Sequence, residues 1–125
     1  ASGDNFSNLF IERNSLADLC GTLSSGIERF DREISKAEAL DAYIVVMVDD
    51  KYSNAIDYSS KKFNQKITGA HLFFEIRRLS EKYSNLQFIF SGSRNKSSEL
   101  IKKILLMKDL AKEVDLEYLK DIGEL

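Results

Sequence analysis

Seven consecutive apolar residues, Ala42-Tyr43-Ile44-Val45-Val46-Met47-Val48, end at Asp49-Asp50 and carry no polar residue at alternate positions. A β-branched run without alternation is a strand covered on both faces. The rest of the chain must therefore supply two layers to cover it. At 125 residues it has the size of a single domain able to bury about two thirds of its unfolded surface. The run is also far too short to cross a bilayer. The single cysteine, Cys20, falls on an apolar helical stripe, so no disulfide is expected and a reducing, intracellular setting is the natural expectation.

The covering layers can be read from periodicity. Ser15 and Asp18 form a capping-box pattern, followed by Leu16, Leu19, Cys20 and Leu23 at helical spacing. Ser25-Gly26-Ile27-Glu28 repeats that pattern before Ile27, Phe30, Ile34 and Ala37, in a helix expected to end near Asp41. Thr68 is positioned to cap a helix bearing Leu72, Phe73, Ile76, Leu79 and Tyr83. Leu86 to Phe90 is the next strand, and Ser91-Gly92-Ser93 turns into a helix with Leu100, Ile101, Ile104, Leu105 and Met107. Residues 51–66 read as a polar, irregular loop. Alternating strands and helices predict an α/β fold with a three-layer helix/sheet/helix arrangement around a central mixed sheet.

The chemistry concentrates where an early strand, Leu9 to Ile11, meets the first helix. Glu12 and Asn14 are two apart and project from one face, and Asp18 lies in the helix's first turn. Asp18 also reads as no more than the third residue of its capping box. Glu12 is harder to explain structurally, because a carboxylate closing an apolar strand is costly unless paired, and Arg13 points to the other face. A hairpin turning over Ser7-Asn8-Leu9 would set Asp4 opposite Glu12, whereas a two-residue turn at Ser7-Asn8 would shift Asp4 to a diagonal; both registers remain open. An oxygen-only donor set without His or Cys pairs points to Mg²⁺ or Mn²⁺ rather than zinc.

The run from Ile11 to Gly26, with Glu28-Arg29-Phe30 continuing to Glu33, resembles the nuclease domain of the XPF-type structure-specific endonucleases, most of all the small bacterial and phage versions. Their signature, within the PD-(D/E)XK class, is G-D, a gap, then E-R-K-x-x-x-D. Here it is matched by Gly3-Asp4, Glu12-Arg13-Asn14 and Asp18. The likeness spans about residues 3–107. It implies a restriction-endonuclease-like fold, with residues 1–108 as the nuclease-like domain and 109–125 as an acidic, helical tail. By that likeness Asp4, Glu12 and Asp18 hold the metal ion, joined in position by Asp49. Asp4, Glu12, Asn14, Asp18 and Arg29 would form the catalytic set. Arg29 would meet the scissile phosphate, the alternative being a surface ion pair with Asp31 or Glu33. Arg13, Lys61, Lys62, Lys66 and Arg94 would follow the DNA.

The implied activity is metal-dependent cleavage of branched or flapped DNA, in DNA repair or recombination. The alternative is a degenerate nuclease-like module that binds DNA or a nuclease partner. A second such domain is an expected partner, as homodimer or heterodimer. The expected place is nucleoid-associated in a bacterium or phage and nuclear in a eukaryote. Two departures bear on activity: the signature Lys is Asn14, and the gap after Asp4 is short. Loss of one charged donor aimed at the phosphate costs on the order of 3 kcal/mol, about a hundredfold in rate. The opening Ala1-Ser2 and the lack of the family's first acidic strand suggest an excised piece of a longer chain.

Charge distribution supports a nucleic acid partner where the total of −2 does not. Residues 1–50 sum to −6, residues 51–108 to +8 and residues 109–125 to −4. A basic middle beside an acidic first third suits phosphate and metal respectively, although solvated helix faces would give the same count. His71 and the pair Phe73-Phe74 read as core or surface residues before any functional role.

Overall fold

A computed structural model of the chain describes residues 8–62 and 65–125, with the backbone alone at 61, 62, 65 and 66. Strand β1 (Leu9–Asn14) leads into helices α1 (Leu16–Thr22) and α2 (Ile27–Ala39), and strand β2 (Tyr43–Val48) follows. A short helix α3 (Tyr52–Ile56) precedes the strands β3 (Ser59–Lys62) and β4 (Gln65–Thr68). Helix α4 (Gly69–Lys82), strand β5 (Leu86–Phe90) and helix α5 (Arg94–Met107) come next, then a 3-10 turn at Lys108–Lys112 and helix α6 (Leu116–Asp121).

The sheet has the order β1-β2-β5 with all three strands parallel, and β3-β4 form a separate antiparallel pair. The expected central strand is indeed central: all six residues of β2 are buried. Its alternation assigns the two layers. Ile44, Val46 and Val48 pack with Leu19, Phe30, Ile34, Leu72 and Leu79, so α1, α2 and α4 cover one face. Tyr43, Val45 and Met47 pack with Leu100, Ile104, Ala111 and Leu116, so α5, the 3-10 turn and α6 cover the other. This helix/sheet/helix layering is compatible with a restriction-endonuclease-like fold.

Three local expectations need correction. Strand β1 runs to Asn14 rather than Ile11, because its parallel ladder with β2 continues through Asn14 opposite Val48 and the Asp49 amide donates to the Asn14 carbonyl at 2.8 Å. The segment 51–66 is not irregular: Ala55 of α3 and Ile67 of β4 are buried in the first core, which anchors the segment. Ser25 is not a cap. Gly26 occupies that place with no side-chain hydrogen bond, and its amide donates to the Gly21 carbonyl at 2.9 Å. The caps at Ser15 and Thr68 hold, their hydroxyls accepting from the amides of Asp18 and His71, and the structure adds Ser93, whose hydroxyl accepts from the Lys96 amide.

Glycine is required where elements touch. A Cβ on Gly69 would stand 2.0 Å from the Ile56 carbonyl oxygen, so α4 can begin against α3 only with hydrogen at that position. Residues 109–125 pack on the sheet: Gln87 donates to the carbonyls of Ala111 and Val114 and accepts from the Leu116 amide, while the Phe90 amide donates to Glu117. No helix among the described residues is long and apolar enough to cross a membrane.

Candidate active site

The period of two along β1 divides its charges between the two layers. Glu12 and Asn14 stand beside Val46 and Val48 on the α1/α2 face, and Arg13 stands beside Met47 on the other. The helix start is equally constrained. With Ser15 as N-cap, its hydroxyl 3.1 Å from the Asp18 amide, Asp18 lies in the first turn next to the end of β1.

Glu12, Asp18, Arg29 and Glu33 line one cavity of about 500 Å³ together with Thr22 and Gly26. Gly26 shapes its floor: a Cβ there would come within 3.0 Å of the Gly21 carbonyl oxygen, so α1 and α2 meet closely at that point. Glu12 is open to solvent on one side, yet the cavity wall crowds its carboxyl. That desolvation, and secondarily the like charge of Glu33, raises its pKa above the usual carboxylate range. Arg29 makes no ion pair among the described residues, and Asp31 is already engaged by Arg78, Lys82 and Tyr83. The surface pairing considered for Arg29 is therefore not formed.

Three of the residues singled out from sequence, Glu12, Asp18 and Arg29, thus share a cavity, and Asn14 points to the same side of the sheet. Asp4 lies outside the described residues, and nothing is described of the side chains of Lys61, Lys62 and Lys66, although Lys61 and Lys66 are backbone partners in the β3-β4 pair. Asp49 is not brought to the acids. Its carboxylate accepts from Arg13 Nε at 3.2 Å and from the Ser97 hydroxyl, on the opposite face from Glu12. Arg13, expected along the DNA, is committed inside the molecule, donating also to the Arg94 carbonyl at 2.8 Å. The same alternation that separates Glu12 from Arg13 separates Glu12 from Asp49. Arg94 opens α5 with an exposed side chain.

Glu33 is the residue that sequence reasoning missed. It follows Arg29 by four positions on α2, and that spacing was the available signal. Among the described residues no three metal-binding side chains cluster. Glu12 and Asp18, two of the three carboxylates in this open cavity, nevertheless suit Mg²⁺, which keeps several waters and takes one or two protein carboxylates. Burial pushes the Cys20 thiol pKa up, as befits an inert core residue.

No curated protein and no solved structure matches the chain. A family profile does, over residues 1–104, which include β1, α1, α2, the whole sheet and most of α5. The chain belongs to the ERCC4 domain family, the nuclease-type, DNA-binding domain of structure-specific endonucleases.

Proposed function

We propose that this domain is a metal-dependent DNA endonuclease that cuts phosphodiester bonds in branched or flapped duplexes. The observation that carries the reading is the shared cavity: two carboxylates at a strand-to-helix junction, one with a raised pKa, together with an arginine that makes no ion pair among the described residues. Glu12 and Asp18 would hold Mg²⁺ or Mn²⁺, with Asp4 as an expected third ligand. Such an ion, when bound, activates water and neutralises charge gathering on the phosphate. Arg29 would steady the phosphate by charge-assisted hydrogen bonds. Asn14, on the same side of β1, offers a neutral amide where the signature has a cation. Lys61, Lys62 and Lys66 on the β3-β4 pair, and Arg94, would follow the DNA backbone.

The test is Mn²⁺-dependent cleavage of a labelled 3′-flap substrate. Cutting that disappears in Asp18→Asn supports the proposal; cutting no greater than that variant's overturns it. Asn14 favours a second reading, a nuclease-like module that has kept the fold and lost the chemistry and binds DNA or a nuclease partner. A pairing with a second such domain suits either reading. So does a place at the nucleoid or in the nucleus.

A further inference from the structure

We propose that a second cavity seats a single-stranded stretch of the substrate, with phosphates on Lys51, Lys96 and Lys103 and an unpaired base against Tyr52. The cavity, of about 560 Å³, lies where β2 and β5 end, bounded by residues 51–53 and 90–92 and by one face of α5. Open parallel sheets bind ligands outside the carboxyl ends of their strands.

Its charges are unequal in kind. Lys120 is neutralised by Glu117 and Asp121 at 2.7 and 2.9 Å and donates to the Phe90 carbonyl. Lys51, Lys96 and Lys103 are exposed and make no ion pair among the described residues; of the two acids lining the cavity, Glu99 and Asp121, the second is already paired with Lys120. Three uncompensated ammonium groups around one concavity suit a chain of phosphates better than a lone anion.

Tyr52 supplies the other half of a single-strand site. Its ring meets Phe73 and Phe90 edge-on at 5.3 and 6.2 Å, which fixes it, while it remains 49% exposed. An anchored aromatic with one open side stacks an unpaired base, which a duplex does not present. The site also lies at the same end of the sheet as the acids. The Asp49 amide bonds the Asn14 carbonyl and the Gly92 amide the Asp50 carbonyl, so the ends of β1, β2 and β5 are level. Two strand spacings, about 10 Å, separate β1 from β5. Because α5 covers the face opposite Glu12, a strand passing from the acidic cavity to the lysines would round this end of the sheet.

The inference rests on the DNA reading above, and its test is made separable by working in EDTA, where no cleavage is needed. Binding of a fluorescent twelve-nucleotide thymidine strand to the whole chain is followed by anisotropy across salt. The triple variant Lys51→Ala/Lys96→Ala/Lys103→Ala is expected to bind at least tenfold more weakly. Its salt slope should be smaller by about 2, for three phosphates released from a single strand. These residues are exposed, so its melting temperature should match the parent's. The chain has no tryptophan, so Tyr52→Trp is a single reporter whose emission should be quenched when the strand binds. Unchanged binding and slope in the triple variant, or unquenched emission at saturation, overturns the inference. So does saturation by inorganic phosphate alone at equal concentration. Loss of cleavage with lysine-dependent binding intact would remove the nuclease reading and leave this one.

Discussion

Glu12 and Arg13 are neighbours on one strand and live in opposite electrostatic regimes. Arg13 is answered on its side by the Asp49 carboxylate and the Arg94 carbonyl, and Asp49 in turn takes the hydroxyl of Ser97, which is tied to Ser91. Glu12 faces a cavity with a like charge, Glu33, and its carboxyl holds its proton more tightly than usual. The Arg13 side is a closed account of donors and acceptors that stabilises the junction of β1, β2 and α5. Among the described residues, Glu12 has no ion-pair partner. An uncompensated acid in a cavity lowers stability, and a structure tolerates it where a ligand completes it.

The sharpest way to break this contrast is to neutralise Glu12. Glu12→Gln should reduce Mn²⁺-dependent flap cleavage by a factor on the order of 10²–10³, measured in single turnover. It should not lower the melting temperature at neutral pH. The sign follows from the raised pKa: the folded state binds the Glu12 proton more tightly than the unfolded chain, so stability falls as pH rises from about 4.5 through the folded pKa. Glutamine removes that fall. A variant that melts lower and cuts normally would show Glu12 to be structural.

Next in size is Asn14→Lys, which restores a cation beside the acids. A gain of about a hundredfold in cleavage is expected if the metal site is intact. No gain would point to a scaffold that has lost its chemistry.

On the compensated side the expectations reverse. Asp49→Ala should leave cleavage within a factor of a few and cost about 1–3 kcal/mol by urea denaturation, because it removes the charged acceptor shared by the partly buried Arg13 and the buried Ser97 hydroxyl. A cleavage loss matching that of Glu12→Gln, without a stability loss, would put Asp49 back with the metal.

The smallest effect belongs to a second compensated group. Asp31 accepts from Tyr83, Lys82 and Arg78, joining α2 to α4. The Tyr83 hydroxyl above all, with Lys82 and Arg78, holds the Asp31 carboxyl below its ordinary value. Its contribution is thus present above about pH 4 and lost as pH falls through the depressed pKa. Tyr83→Phe should cost about 1 kcal/mol at pH 7 and flatten the acid side of the stability profile, as followed by circular dichroism.

Much of this arrangement is visible in the residues themselves, and the gaps have physical causes. The Ala42–Val48 run could only be a doubly covered strand, and each stripe on α1, α2, α4 and α5 reports a helix resting on it. The caps at Ser15 and Thr68 are local chemistry and can be read locally. Ser25 misleads because the helix start there is decided by the close approach of Gly26 to Gly21, which is a contact between elements. The β3-β4 pair escapes notice because the run around Lys61, Lys62 and Lys66 lacks apolar alternation, leaving Ile67 as its buried anchor. At the site, alternation correctly joins Glu12 to Asn14 and opposes Arg13. Extending the same count along β2 shows why Asp49 belongs with Arg13, but only the register of β1 on β2 links the two strands. Glu33 is flagged in the sequence only by its place four residues after Arg29; that it shares a cavity with Glu12 is set by contacts between elements.

The way the last residues lie against the sheet bears on how this protein can be handled. The family likeness ends at residue 104, inside α5, which runs to Met107, while Ala111 and Leu116 beyond it are fully buried against the second layer. Trimming the gene to the recognisable domain would therefore cut a helix short and remove part of the lid over Val45, Met47 and Ile89. A preparation meant to measure catalysis would then be reporting on misfolding, and a silent result from it would carry no information about the acids.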